Sequence, residues 1–283
     1  MELERARDVL RNRGPQPAAE ALYARWYHAQ VQTQRNYPDA RAYDAATLTA
    51  AQFEGGWIVR SFSGGAAAAV SAERGGRLVD VAPPRCAPAE PWRLQLQVGD
   101  ALLVAPLVSG RSGGFWHLMT LRWLEEQATQ RLYLVVMPGS ELEAARRWVG
   151  LAPTDEPWAL KLLEGRHHGG RRDPMVVYLT RGTALDEGWV SAALSALGDL
   201  VEGEPPPGTL RLAAGIGWAA NPAGGESFGQ QLCRLLARAA ERPSALGSSA
   251  AWRAAVEGEL ATAGLDPERP HLGALTEPSL GAS

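Results

Sequence analysis

Trp158-Ala159-Leu160-Lys161-Leu162-Leu163 is a six-residue run that is apolar on both faces of an extended chain and carries one charge at its middle. A short run of this kind reads as a strand buried inside a sheet, with layers packed on both sides. The flanking sequence supplies neighbours for it. Upstream, GWIVRSF (56–62), RLVDVA (77–82), WRLQLQV (92–98), ALLVAPLV (101–108), FWHLMTL (115–121) and RLYLVVM (131–137) are strand candidates separated by Gly, Pro and Asp turns, which predicts an antiparallel sheet. Downstream, DPMVVYLT (173–180) reads as a further strand entering a long helix near 184–202.

Helices are expected around this sheet. Residues 1–13 and 18–33 show helical spacing, with Leu22, Trp26 and Tyr27 on one face and a break at Gly14 to Pro17. Ser140 is placed to cap ELEAARRWVGL. GEPPPG (203–208) reads as a surface turn, and GIGWAANPAGGESFG (215–229) as a long glycine-rich loop feeding the helix FGQQLCRLLARAAE. The fold class expected is α+β: an antiparallel or mixed sheet with N-terminal helices and packed C-terminal helices. The division expected is a helical segment over 1–55, an α+β domain over 56–270 and an irregular tail over 271–283.

Bulk composition narrows the function. With 283 residues, 46% of them apolar, the chain has ample material for a core, so disorder throughout is excluded. A net charge of −3 gives no general field for nucleic acid. The start, MELERARDVLRNRG, lacks the apolar run of a secretion signal, and no stretch of about eighteen uncharged apolar residues occurs. A cytoplasmic protein with neither nucleic acid nor membrane as partner is expected. Cys86 and Cys233 stand far apart with no CxxC, which argues against a zinc site or a disulfide framework and for two buried thiols. GxSxG, HExxH, P-loop and EF-hand patterns are absent, which removes the commonest hydrolase, metalloprotease, nucleotide and calcium readings.

Of the 28 basic residues only Lys161 is a lysine. Arginine stays protonated at any accessible pH, whereas a buried lysine can lose its proton and serve as a general base. In WALKLL the ammonium would be desolvated, and this makes Lys161 the candidate base; the competing reading is a lysine snorkelling at a strand end. His117 shares one strand face with Phe115 and Met119 and is the candidate general acid, against the alternative of a satisfied core histidine. His167 and His168, in GRHHGGRR, are the runners-up, and His28 and His271 read as peripheral. Arg172, beside Asp173, and Tyr178 suit a phosphate dianion, since guanidinium groups grip phosphate oxygens with paired hydrogen bonds and a phenol adds one more. Arg166 and Arg171 read as exposed loop charges. Ser227 is expected to cap the helix that follows the glycine-rich loop, and Glu226 beside it would repel an anion there.

Taken together, LYARWYHA (22–29), RLYLVVM, WALKLL, RRDPMVVYL (171–179), the glycine-rich loop running into SFG, CRLLARA (233–239) and AGLDPERPHL (263–272) resemble the HopA-type family of type III secretion effectors and its relatives in bacterial peptide-maturation clusters. In class V lanthipeptide and thioamitide pathways such relatives are understood to act beside an aminoglycoside-phosphotransferase-like kinase. They are proposed to eliminate phosphate from phosphoserine or phosphothreonine of a precursor peptide, giving dehydroalanine or dehydrobutyrine. The resemblance implies a phosphothreonine lyase without metal or organic cofactor, with Lys161 as base, a histidine as acid, and Arg172 and Tyr178 on the phosphate. The pattern departs where the family carries Thr-Lys-Pro before the glycine-rich loop. Here the stretch is Thr209-Leu210-Arg211, so that Arg211 is expected to supply the charge, and Gln231 stands where relatives often carry His. The rival from another class is a non-catalytic subunit that binds peptide or activates the kinase through a tryptophan-rich surface, ten tryptophans being available for it.

Overall fold

The computed structural model describes residues 2–28, 34–51, 53–64, 69–90, 95–105, 107–123, 128–152, 156–168, 171–180, 187–222 and 226–273. The chain opens with α1 (Leu3–Arg11) and α2 (Ala18–Leu22), which widens into a π-helical turn over Tyr23–Tyr27, followed by β1 (Gln34–Tyr37) and α3 (Ala40–Ala50). Six strands follow: β2 (Glu54–Ser63), β3 (Ala69–Arg74), β4 (Arg77–Val81), β5 (Cys86–Pro88), β6 (Ala101–Val104) and β7 (Leu107–Ser112). Then come β8 (Phe115–Thr120), β9 (Gln130–Leu134), α4 (Glu141–Leu151), β10 (Trp158–Leu163), β11 (Gly165–His168), β12 (Met175–Leu179) and α5 (Glu187–Leu197). The last elements are β13 (Leu210–Ala213), β14 (Ile216–Ala220), α6 (Phe228–Glu241) and α7 (Ser249–Thr262). The fold class is α+β, and the sheets are antiparallel throughout.

The strand candidates divide between two sheets rather than forming one. β2 to β6 make a five-stranded sheet in the order β4-β3-β2-β6-β5 around its own small core of Trp57, Val59, Val70, Leu102 and Val104. β7 to β10 join β12 to β14 in a seven-stranded sheet, ordered β13-β14-β9-β12-β10-β8-β7. β10 lies inside it, between β12 and β8, as a run apolar on both faces requires.

One face of the large sheet packs on α3, α4 and α5 through Trp116, Leu132, Trp158, Leu160, Leu162 and Val177. Full burial of Leu160 and Leu162 stabilises the fold by about 2 kcal/mol each. Tyr43 of α3 stacks on Trp116 at 5.0 Å, and its hydroxyl donates to the Leu163 carbonyl at 2.8 Å, which pins the end of β10. On the other face α1, α2, α6 and α7 cover Tyr133, Val176 and Ala219. Gly229, at the start of α6, is the close approach that makes this possible, since a Cβ there would stand 2.4 Å from the Tyr27 ring.

Several readings of the sequence are overturned. Ile216–Ala220, expected as loop, is the fully buried strand β14. Its small residues are required by packing: a Cβ on Gly217 would lie 2.5 Å from Thr209 Oγ1 and 2.6 Å from Pro205. The GEPPPG turn is consequently not superficial, and Pro205, Pro206 and Pro207 are buried beneath that strand. Ser140 precedes α4 in a conformation that gives its hydroxyl no capping bond, and WRLQLQV forms no strand over its described residues 95–98. Cys233 is buried, Cys86 only half-buried, and both are free thiols. Among the described residues no helix is long and apolar enough to cross a membrane.

Candidate active site

The α1, α2, α6 and α7 layer leaves part of the sheet open at β10, β8 and β7. Strand alternation turns Ala159, Lys161 and Leu163 toward that side and Trp158, Leu160 and Leu162 into the opposite core. Register then sets the neighbours. Lys161 pairs with His117 on β8 and with Val176 on β12, and the adjacent row runs Met119, Ala159, Tyr178, Arg131. Residues directly opposite on antiparallel strands hold their Cβ atoms about 5 Å apart, so the base and acid candidates are immediate neighbours.

The Lys161 ammonium nitrogen stands 3.8 Å from the centre of the Phe115 ring, and the Arg171 guanidinium carbon lies 5.3 Å from the same centre. Burial pushes the amine down from 10.5 to about 8; Asp173 resists, and the charges of Arg171 and Arg131 assist. At pH 7 roughly one molecule in ten then carries the free amine.

Behind this pair lies a buried polar cluster. Arg171 donates to both carboxylate oxygens of Asp173, at 2.9 and 3.1 Å, and its Nη2 meets His28 Nε2 at 3.0 Å. His28 Nδ1 stands 2.9 Å from the same carboxylate. Because a guanidinium only donates, His28 Nε2 accepts and the ring proton sits on Nδ1 facing Asp173. Burial alone would push the Asp173 carboxyl up, but His28 and Arg171 outweigh it and hold it well below the usual carboxylate range. His28 is therefore not peripheral, and Arg171, expected to be exposed, shares the Phe115 ring with the lysine. His271 is also buried, against Trp218.

Arg172 instead points to Glu2, with Nη1 3.4 Å from its carboxylate. Arg211 sits on edge strand β13, separated from β10 by β14, β9 and β12, exposed and paired with Glu204 at 2.8 Å. It does not join the site. Arg166, His167 and His168 contribute the backbone of β11, paired with β1; their side chains lie outside the described residues.

A cavity of about 320 Å³ opens on this face, lined by Gly110, Arg111, Ser112, His117, Met119, Trp123, Ala159 and Tyr178. His117 Nε2 is 2.9 Å from Ser112 Oγ at its rim. Lys161 lies one row further in, its nitrogen turned to Phe115. Arg131, which the sequence reading passed over, is buried beside Tyr178: its guanidinium carbon is 4.9 Å from that ring's centre, and its Nε donates to Asn221 Oδ1 at 2.5 Å. The start of α6 offers no anion site. Ser227 and Gln230 cap each other's amides, and Glu226 is paired with Arg234; Gly224 and Gly225 lie outside the described residues. Among the described residues no three His, Cys, Asp or Glu side chains are grouped as a metal site requires.

The model of the HopA1 effector protein family matches residues 122–272, more than half of the chain. No curated protein matches it. Among solved structures, the chain is similar to the effector protein from Pseudomonas syringae pv. syringae strain 61 over 95% of its own length and 94% of that chain, at 14% identity and a TM-score of 0.54, a likeness of fold. The effector protein from Pseudomonas syringae pv. tomato strain DC3000 is similar over 57% of this chain and 63% of that one, at 20% identity and a TM-score of 0.47.

Proposed function

The chain belongs to the HopA1 effector protein family, and on that footing we propose that it is a carbon–oxygen lyase removing phosphate by β-elimination from phosphoserine or phosphothreonine in a peptide. The observation that carries this reading is the cross-strand pair of a buried, deprotonatable Lys161 with His117 at the cavity wall.

The proton on the substrate Cα is very weakly acidic, so elimination needs a positioned base and help for the leaving group. Neutral Lys161 takes that proton. The C–H electron pair becomes the second bond between Cα and Cβ as the Cβ–O bond breaks, and the oxygen leaves with its pair on phosphate. His117, entering protonated, gives its proton to that oxygen. The products are a dehydroamino acid, hydrogen phosphate, a lysine ammonium and a neutral histidine, and proton exchange with water resets both groups. Tyr178 at the cavity wall donates to the phosphate. In this reading a separate aminoglycoside-phosphotransferase-like kinase supplies the phosphopeptide, within a lanthipeptide-type pathway.

The test is purified protein with a synthetic phosphothreonine peptide, followed by mass spectrometry for loss of phosphoric acid. Lys161→Arg keeps a positive charge but removes a usable base, so kcat should fall by about 100-fold or more while peptide binding persists. Unchanged turnover in that variant overturns the base assignment. A binding-only role built on surface tryptophans has little to stand on, because Trp26, Trp57, Trp116, Trp148, Trp158, Trp218 and Trp252 are all buried.

A further inference from the structure

We infer that Arg131 is the receptor for the substrate's phosphate dianion, an inference that rests on the lyase reading for the identity of the anion. What singles it out is the combination of burial with the lack of a counter-charge. Two arginines among the described residues are almost wholly buried, Arg85 and Arg131. Arg85 has its carboxylate, Asp44, at 3.1 Å. Arg131 makes no ion pair among the described residues; it has the amide oxygen of Asn221, the face of Tyr178, and Tyr27 and Tyr133 close by.

Those tyrosines bring no negative charge. Burial pushes the Tyr133 hydroxyl up to about 12 even though Arg131 pulls the other way, and it raises Tyr27 as well. A guanidinium taken out of water without a counter-charge is a standing cost unless something anionic comes to it.

The other cations placed at the cavity wall or over Phe115 are already committed. Arg111, at the cavity wall, is on Glu164, and Arg171, over Phe115, is on Asp173. The position of Arg131 also fits the chemistry. It lies on the same sheet face as Lys161, two strands across and one row along, which puts the Cα atoms about 12 Å apart at the usual strand spacing. Two long side chains close most of that gap, and the phosphorus of a phosphoserine is only three bonds from the Cα that gives up its proton. Asn221 is held in the matching orientation, because its Nδ2 donates to the Ala128 carbonyl at 3.0 Å and Oδ1 is thereby the atom that must face Arg131. This holds Nε and leaves the outer nitrogens to address a pair of phosphate oxygens.

The experiment is calorimetric titration of the purified chain with inorganic phosphate and with a phosphothreonine peptide, its unphosphorylated twin serving as the blank. Arg131→Met is expected to weaken binding of both anions by about 100-fold, and Arg131→Lys, which keeps charge without the fork, by about 10-fold. Arg211→Met, on the far edge of the sheet, should leave both affinities unchanged. Should Arg131→Met fail to fold, Asn221→Asp supplies a carboxylate to the same guanidinium and is expected to weaken phosphate binding in a folded protein. The inference is overturned if Arg131→Met, or Asn221→Asp where the former does not fold, binds as tightly as wild type, or if wild type binds neither anion. Wild type that holds phosphate through Arg131 yet never dehydrates the peptide sinks the lyase reading and leaves the anion site standing.

Discussion

Replacing Lys161 by Met should make the protein more stable at neutral pH while abolishing elimination. An amine moved from 10.5 to about 8 is penalised as a cation by about 3 kcal/mol in the folded state, at about 1.4 kcal/mol per pH unit. The face of Phe115, 3.8 Å from the nitrogen, returns about 1–2 kcal/mol of that. Met is similar in length and brings no charge, so the net gain expected at pH 7 is about 1–2 kcal/mol. The sign with pH follows from linkage: the unfolded chain binds more protons than the folded one between about 8 and 10.5, so wild-type stability rises across that window. Above it the amine is neutral in both states and the advantage of Met disappears.

Urea unfolding of wild type and Lys161→Met at pH 7, 8, 9 and 10 measures this directly, with the two curves converging as pH rises. A Met variant that is less stable than wild type at pH 7, or a difference that ignores pH, would mean the amine is solvated in the native state and not poised as a base.

Two further outcomes follow from the same cluster. If Lys161 is the base, the residual kcat/KM of a His117→Gln variant, which no longer requires a protonated acid, should rise with pH along a limb centred near 8, because only the neutral amine accepts a proton; a residual rate that falls through this range refutes the assignment. Asp173→Asn should cost about 3 kcal/mol in urea unfolding, since it leaves Arg171 buried beside a neutral amide. The depressed carboxyl confers its stability above the usual carboxylate range and loses it only as pH falls through the folded value, so the deficit should persist at pH 5. Asp173 also supports the charge on Lys161, and its loss should move the kcat/KM limb to lower pH; an unmoved limb would show the two groups to be uncoupled.

The strands with regular apolar patterns, β8, β9, β10 and β12, and the helices α4 and α6 were legible from periodicity. Lys161 was legible from composition alone, as the one residue where arginine had not been used. His117 followed from alternation on β8. What escaped did so for a connected reason. Ile216-Gly217-Trp218-Ala219-Ala220 looks like a loop because its small residues lack strand character, yet they are small to admit Pro205 and Thr209. With β14 read as loop, β9 becomes an edge strand and Arg131 an ordinary solvated charge. Restoring β14 beside β9 buries Arg131. His28 was misplaced differently, since its partners Arg171 and Asp173 lie more than a hundred residues along the chain and no local pattern links them.

The sheet face thus holds two basic groups with opposite requirements. The amine has to shed a proton near neutral pH, and the guanidinium has to keep its charge in an equally dry setting. Desolvation acts on both, but it resolves them differently, because a lysine moved down by a few pH units becomes a base whereas an arginine starting above 12 stays a cation. Burial on one face of the sheet therefore produces a base and an anion receptor from the same physical cause. This explains why exchanging either residue for the other should fail even though net charge and volume are nearly conserved. The division of labour lies in how each side chain answers to the loss of water.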